Sequence, residues 1–252
     1  MPNKAQRLPA RLWRRSARCA LLALCLWPAG LAATAAQGVD HAAYEGLTDR
    51  YPHAVLGDDL EYETLVITLR SGKTVRFTLP QSSVFEDTAP RLVDLDADGS
   101  PEVVTVESHQ DKGARLVVYN EAGRLVATPY IGTRFRWLAP LGAADLDGDG
   151  TIEIAYVDRP HLAKTLRIWR YDDGTLTQIA SRAGLTNHRI GEKDIAGGIR
   201  DCGAGPEMIL ADSTWSSMML LRLEGGHITS EAIASETTRA AFAKAMACTD
   251  AS

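Results

Sequence analysis

The sequence predicts an all-β fold assembled from repeated four-stranded units, and three observations carry that prediction. Hairpins recur along the chain as pairs of β-branched or aromatic runs joined by short Gly- or Asp-containing turns. They span Tyr62–Pro80, Ala114–Ile131, Lys164–Ser181 and Ser217–Ser235. Between successive hairpins an acidic or Gly-rich loop leads into one apolar strand: "EVVTVES", "EIAYVDR", "EMILADS". Glu102, Glu153 and Glu207 mark the same point in three units, 51 and 54 residues apart. A period near 50 with four short strands per unit is that of a propeller blade. The expected architecture is therefore a small β-propeller of about four blades, three complete units after a leading hairpin, with a short C-terminal helix.

Taken in order, residues 1–36 have the layout of a Sec-type signal peptide. A basic region (Lys4, Arg7, Arg11, Arg14, Arg15, Arg18) precedes an apolar run, a Pro28/Gly30 breaker and small residues up to Ala36. Residues 37–60 show no period and read as an irregular lead-in. The repeats occupy 61–235. Within 236–252, Glu236–Ala247 carries the one convincing helical pattern, with Ser235 as the expected N-cap.

Charge narrows the function classes. The leader holds six basic and no acidic residues, which leaves 21 basic against 32 acidic side chains and a formal charge of −11. Such a surface repels phosphate backbones, so a nucleic-acid partner is not expected. No later segment is long and apolar enough to span a bilayer, so no membrane span is expected after cleavage. Cys202 and Cys248 are left as an even pair in an exported chain, and a disulfide between them is expected.

The loops "DLDADGSPE" and "DLDGDGTIE" hold the chemistry. Carboxylates at alternate positions (Asp94, Asp96, Asp98; Asp145, Asp147, Asp149) converge in a tight loop and repel unless a hard cation sits among them. Gly99 and Gly150 permit the turn. Ser100 and Thr151 offer backbone carbonyls, and Glu102 and Glu153 close the set. An EF-hand needs an acid at position twelve, where this chain has Thr105 and Tyr156. What remains is a pair of β-hairpin calcium loops, hence two expected Ca2+ sites. The third copy, "DIAGGIRDCGAGPE", keeps Asp194 as its expected first position but loses the later acids, so no calcium is expected there.

Both acidic stretches resemble the FG-GAP/VCBS repeat of integrin-α-like propellers and of exported bacterial proteins. The resemblance implies a propeller scaffold with calcium in the loop between the first two strands of a blade. It implies little about activity.

Catalytic signatures are missing: there is no G-x-S-x-G, no H-E-x-x-H and no phosphate loop. The expected role is a periplasmic or secreted binding or scaffold module for an unidentified protein or glycan ligand, rather than an enzyme. The alternative is a polymer-acting hydrolase or lyase with structural calcium and a His/Asp site near His161 or His188, with Asp194, Arg200 and Asp201 as further candidates. The acidic run Gly57–Glu63 reads as a solvated strand edge.

Overall fold

The computed structural model describes residues 38–249 and is all-β apart from one short helix. The expected signal peptide lies outside the described residues. No helix among the described residues is long and apolar enough to cross a membrane. The first unit comprises β1 (Val39–Thr48), β2 (Glu61–Leu69) and β3 (Thr74–Thr78), with β2 central. A short β4 (Ser83–Phe85) then bridges β2 to the second unit by pairing Tyr62 with Phe85 and Ser83 with His109.

The second unit is an antiparallel meander of β5 (Arg91–Val93), β6 (Glu102–His109), β7 (Gly113–Asn120) and β8 (Gly123–Ala127). The third repeats it with β9 (Leu138–Ala144), β10 (Glu153–Asp158), β11 (Thr165–Asp172) and β12 (Thr175–Ala183). After β13 (Leu185–Thr186), the fourth does so with β14 (Gly198–Asp201), β15 (Pro206–Asp212), β16 (Met218–Glu224) and β17 (His227–Ala234). Two hairpins close through two-residue turns whose central residues both have positive φ: Asp173-Gly174 at +44° and +70°, and Gly225-Gly226 at +56° and +78°. That is the geometry Asp-Gly and Gly-Gly favour, because its twist matches the flanking strands.

Successive units pack face to face. Alternate residues of each second strand enter different clusters, since side chains on a strand point to opposite faces. On β6, Val103 packs toward the first unit and Val104 toward the third. On β10, Ile154 and Tyr156 face the second unit while Ala155 and Val157 face the fourth. This is why "EVVTVES" and "EIAYVDR" are apolar without alternation: both faces are buried. The last sheet is covered by α1 (Arg239–Met246), whose Phe242 and Ala245 seat on Ile209, Ala211 and Leu220.

The structure corrects three expectations. The lead-in is not irregular: β1 pairs with β2 from Val39 to Thr48. The helix starts later than expected, because Thr238 rather than Ser235 caps it, accepting from the Ala241 N–H at 3.2 Å. The acidic run is only partly solvated: Asp58 and Asp59 are exposed as expected, but Glu61 is buried on β2, which has neighbours on both sides.

Candidate functional site

The two acidic loops share one hydrogen-bond frame. The buried glutamate accepts from the backbone at the loop's start, Leu95 N–H to Glu102 Oε2 and Leu146 N–H to Glu153 Oε2, each at 2.9 Å. The first aspartate accepts from the glycine, Gly99 N–H to Asp94 at 3.0 Å and Gly150 N–H to Asp145 at 2.9 Å. Both glycines are left-handed, at +86° and +91°. Carboxylate oxygens of Asp94, Asp96 and Glu102 lie within 4.8 Å of one another, as do those of Asp145, Asp147 and Glu153. Asp98 and Asp149 instead accept from Ser100 N–H and Thr151 N–H at 2.7 and 2.9 Å.

The loops differ in how their charge is met. In the first, Asp94 Oδ1 is buried without a hydrogen-bond partner. Burial, reinforced by Asp96 and Asp98, pushes Glu102 up to about 7 against the pull of the Leu95 N–H. An orphaned oxygen beside an all-carboxylate donor set fits a hard divalent cation. In the second loop a guanidinium already stands among the carboxylates. Arg170 meets Asp147 at 2.7 Å, Asp149 at 2.9 Å and Glu153 at 2.7 Å. In the fourth unit the loop has shrunk to Cys202–Gly205, and Glu207 is gripped by Arg200 at 3.1 Å and by Arg222. Cys202 is bonded to Cys248, tying this loop to the end of the helix. Asp194 is not the first position of that loop; it lies before β14 and pairs with Arg239 at 3.0 Å.

A second constellation gathers where loops of all four units meet. His53 comes from the β1–β2 connection, Glu86 follows β4, Phe135 and Trp137 precede β9, His161 follows β10 and His188 follows β13. Together with Arg136, Arg159, Leu162 and Ile190, His53, Phe135, Trp137 and His161 border a cavity of about 230 Å³. Glu86, fully buried, holds His53 Nδ1 at 2.5 Å and also receives the Ser108 hydroxyl. Its backbone carbonyl accepts from the Trp137 indole at 2.8 Å. His53 stacks on Phe135 at 5.1 Å, and Trp137 meets His188 edge-on at 4.9 Å.

Histidine polarity follows from the partners. His188 Nε2 faces the Glu192 carbonyl at 2.8 Å and therefore carries the proton; its Nδ1 accepts from His161 Nε2 at 3.0 Å. Burial, with His188 and His53 alongside, lowers His161 to about 4, so it is neutral at neutral pH. Burial lowers His188 as well. Backbone strain concentrates here: Ala54, Phe135 and Arg159 all have positive φ, at +55°, +55° and +46°. Such strain costs of order 1–3 kcal/mol per residue and collects at functional sites.

Residues 94–156 match the family described as the FG-GAP-like repeat. That stretch is an FG-GAP-like repeat. It begins at the first aspartate of one acidic loop and ends past the other, so both loops belong to it. No curated protein matches the chain. Among solved structures, the exotype rhamnogalacturonan lyase YesX is similar over 80% of this chain and 49% of its own, with 13% identity and a TM-score of 0.46. Rhamnogalacturonan lyase YesW is similar over 79% and 49%, with 12% identity and a TM-score of 0.43. The V. cholerae biofilm matrix protein Bap1 is similar over 71% and 32%, with 15% identity and a TM-score of 0.26. The chain spans about half the length of the two lyases.

Outside the FG-GAP-like repeat, sequence reasoning singled out His161 and His188, and the structure joins them. It does not bring Asp194, Arg200 or Asp201 to the pocket: Asp201 caps its own loop at Gly203 N–H, 2.7 Å away. Missed altogether were His53, Glu86 and Phe135, which carry no motif. Arg170 was also missed, although arginine recurs opposite the loop glutamate in two successive units and could have been found by aligning them.

Proposed function

We propose that the protein is an exported, calcium-binding, propeller-like module that holds a glycan or protein ligand in the pocket bordered by His53, Phe135 and His161. The observation that carries this reading is the convergence of four units on one cavity with three strained residues in or beside it. The FG-GAP-like repeat supports the calcium part. Asp94, Asp96 and Glu102 would hold one ion, and Asp145, Asp147 and Glu153 a second once Arg170 yields. A bound ion would neutralise each loop and stiffen the sheet edges. The leader and the Cys202–Cys248 disulfide support export to the periplasm or beyond.

The test is a screen of the purified protein against immobilised glycans, repeated with Phe135→Ala. Hits lost in the variant at an unchanged melting curve support the reading; hits that persist remove the pocket from it.

A second reading has its own observation. Glu86 orients His53 through Nδ1, leaving Nε2 as a base, the arrangement general acid–base catalysis uses. A hydrolase or lyase acting on a polymer would need that base. Turnover of a bound glycan, abolished by His53→Gln with binding retained, would establish it.

A further inference from the structure

The charge at the pocket mouth departs from the rest of the chain. Beyond the leader acidic side chains outnumber basic ones by 32 to 21, and most arginines are committed to carboxylates, as Arg91 is to Asp87 and both Arg115 and Arg124 are to Glu107. Arg134 and Arg136 have no carboxylate within ion-pair distance among the described residues. Arg136 Nη1 donates to the Phe135 carbonyl at 2.7 Å, and Arg134 lies over the Phe135 ring at 4.4 Å. Two guanidiniums on either side of one pocket residue attract an anion, and a planar carboxylate suits their fork geometry.

The histidines ask for something else. With its Nε2 proton given to His188, His161 is left with a lone pair on Nδ1. His53 turns Nδ1 to Glu86, and as a neutral imidazole it donates there and keeps a lone pair on Nε2. Both are acceptors that suit hydroxyl donors. Apart from Arg159, which Asp158 holds at 2.8 Å, the remaining border is apolar and includes Phe135, with Leu162 and Ile190 at 62% and 72% exposure. At about 230 Å³ the cavity falls below the range of drug-sized ligands and suits a single ring.

A carboxylate, several hydroxyls and one apolar face coexist on a uronic acid ring. We propose that this pocket recognises a uronate residue of an acidic glycan. Its carboxylate lies on Arg136, with Arg134 beside it at the rim, and its hydroxyls donate to His161 and His53. Its apolar ring face rests on Leu162 and Ile190, because His53 and Arg134 already stack on the Phe135 ring that holds this wall in place. The assignment rests on the reading of the cavity as the ligand site.

Calorimetry in calcium-containing buffer tests it with trimers of galacturonate and glucuronate, the same trimers as methyl esters, the free monosaccharides and a short peptide with a free C-terminal carboxylate. An acidic trimer should bind, and its ester should bind at least about tenfold more weakly. Arg136→Gln should weaken the acidic trimer by about tenfold at an unchanged melting curve, close to 1.4 kcal/mol. Arg182→Gln, which removes a guanidinium bonded to the Ile228 carbonyl, should change nothing. Binding of trimers but not monosaccharides assigns the site to polymer; equal binding assigns it to the free sugar. If ester and acid bind alike and both are lost in Phe135→Ala, the uronate assignment is overturned while the pocket stands. Binding of the peptide alone also overturns it. If no probe depends on Phe135 or His161, the pocket reading falls too.

Discussion

The Arg170 guanidinium meets the Glu153 carboxylate at 2.7 Å across the β10–β11 pair, inside the loop that resembles a cation site. One unit earlier the matching place, next beyond the Val103–Tyr119 pair, is Asn120; one unit later it is Arg222 on Glu207. The three units thus grade from a loop whose neighbouring guanidinium, Arg70, bonds the Gly99 carbonyl at 2.9 Å rather than a carboxylate, through one with a guanidinium tethered on its carboxylates, to one with no acidic loop at all. Calcium and Arg170 compete for the same oxygens. Calorimetry should therefore resolve two unequal sites, the first loop tighter. Arg170→Asn should bring the second toward the first, while costing about 1–3 kcal/mol without calcium because buried Glu153 loses its partner. Two equal sites in the unaltered protein would contradict this.

The same inequality should appear in melting curves. A metal bound only by the folded state stabilises by about 2.7 kcal/mol at a hundredfold excess over Kd. Chelation should lower the melting temperature, and calcium should restore it better than magnesium. Asp96→Ala should remove most of that response and Asp147→Ala the smaller part. The reverse order would mean that Arg170 is no competitor.

The disulfide should matter beyond the chain ends. It closes a separation of 46 residues, for which chain entropy gives roughly 4 kcal/mol. It also pins the end of α1, whose Phe242 covers Ile209 and Leu220. Cys248→Ser should lower the melting temperature and raise binding of a hydrophobic dye as that sheet face is uncovered. An unchanged dye signal would mean that packing alone holds the helix.

What the sequence made legible is what local pattern controls. The Asp-Gly and Gly-Gly turns, the paired acidic loops and the strands buried on both faces are written in short-range spacing. β1 is not, because "VDHAAYEGLT" lacks clean alternation; it is a strand because β2 offers it a ladder. The pocket was half legible. His161 and His188 drew notice as histidines, but Glu86, Phe135 and Arg159 converge only after the units stack. The left-handed backbones of Phe135 and Arg159 fall at residues other than glycine, and Glu86 belongs to no motif, so no sequence signal marks them.

Glu61 should make stability fall as pH rises. It is buried with Oε1 unpartnered, and burial, with Glu86, Asp58 and Asp87 nearby, pushes its carboxyl far above the usual range. The folded state then keeps a proton that the unfolded chain releases above its ordinary value near 4.5. Between that value and the raised folded one, each pH unit costs about 1.4 kcal/mol. Glu61→Gln should raise the melting temperature at pH 8 by more than at pH 6. An equal gain at both would show that Glu61 does not titrate on unfolding.

His161 should act in the opposite sense. Its folded value lies near 4 against an ordinary value of 6.5, with burial the main cause and the nearby His188, His53 and Lys164 adding to it. Between pH 6.5 and 4 the unfolded chain binds a proton that the folded chain refuses, so stability rises with pH across that window and is lost as pH falls through it. His161→Gln keeps a polar side chain without the titration. Glu61 and Glu102 pull the other way across the same window, so the His161 contribution is read by comparing the two proteins. On going from pH 5 to pH 7 the melting temperature of the unaltered protein should rise by a few degrees relative to that of the variant. His188, which is lowered too, contributes in the same sense to both proteins. The same window bears on ligand binding: at neutral pH His161 Nδ1 is an acceptor, and it becomes a donor only where the fold itself weakens. A ligand whose hydroxyl donates to His161 should therefore bind with little pH dependence between 6.5 and 8. Affinity that climbs steeply as pH drops through 6.5, in step with imidazole protonation, would instead place a charged His161 against the ligand and contradict the neutral floor.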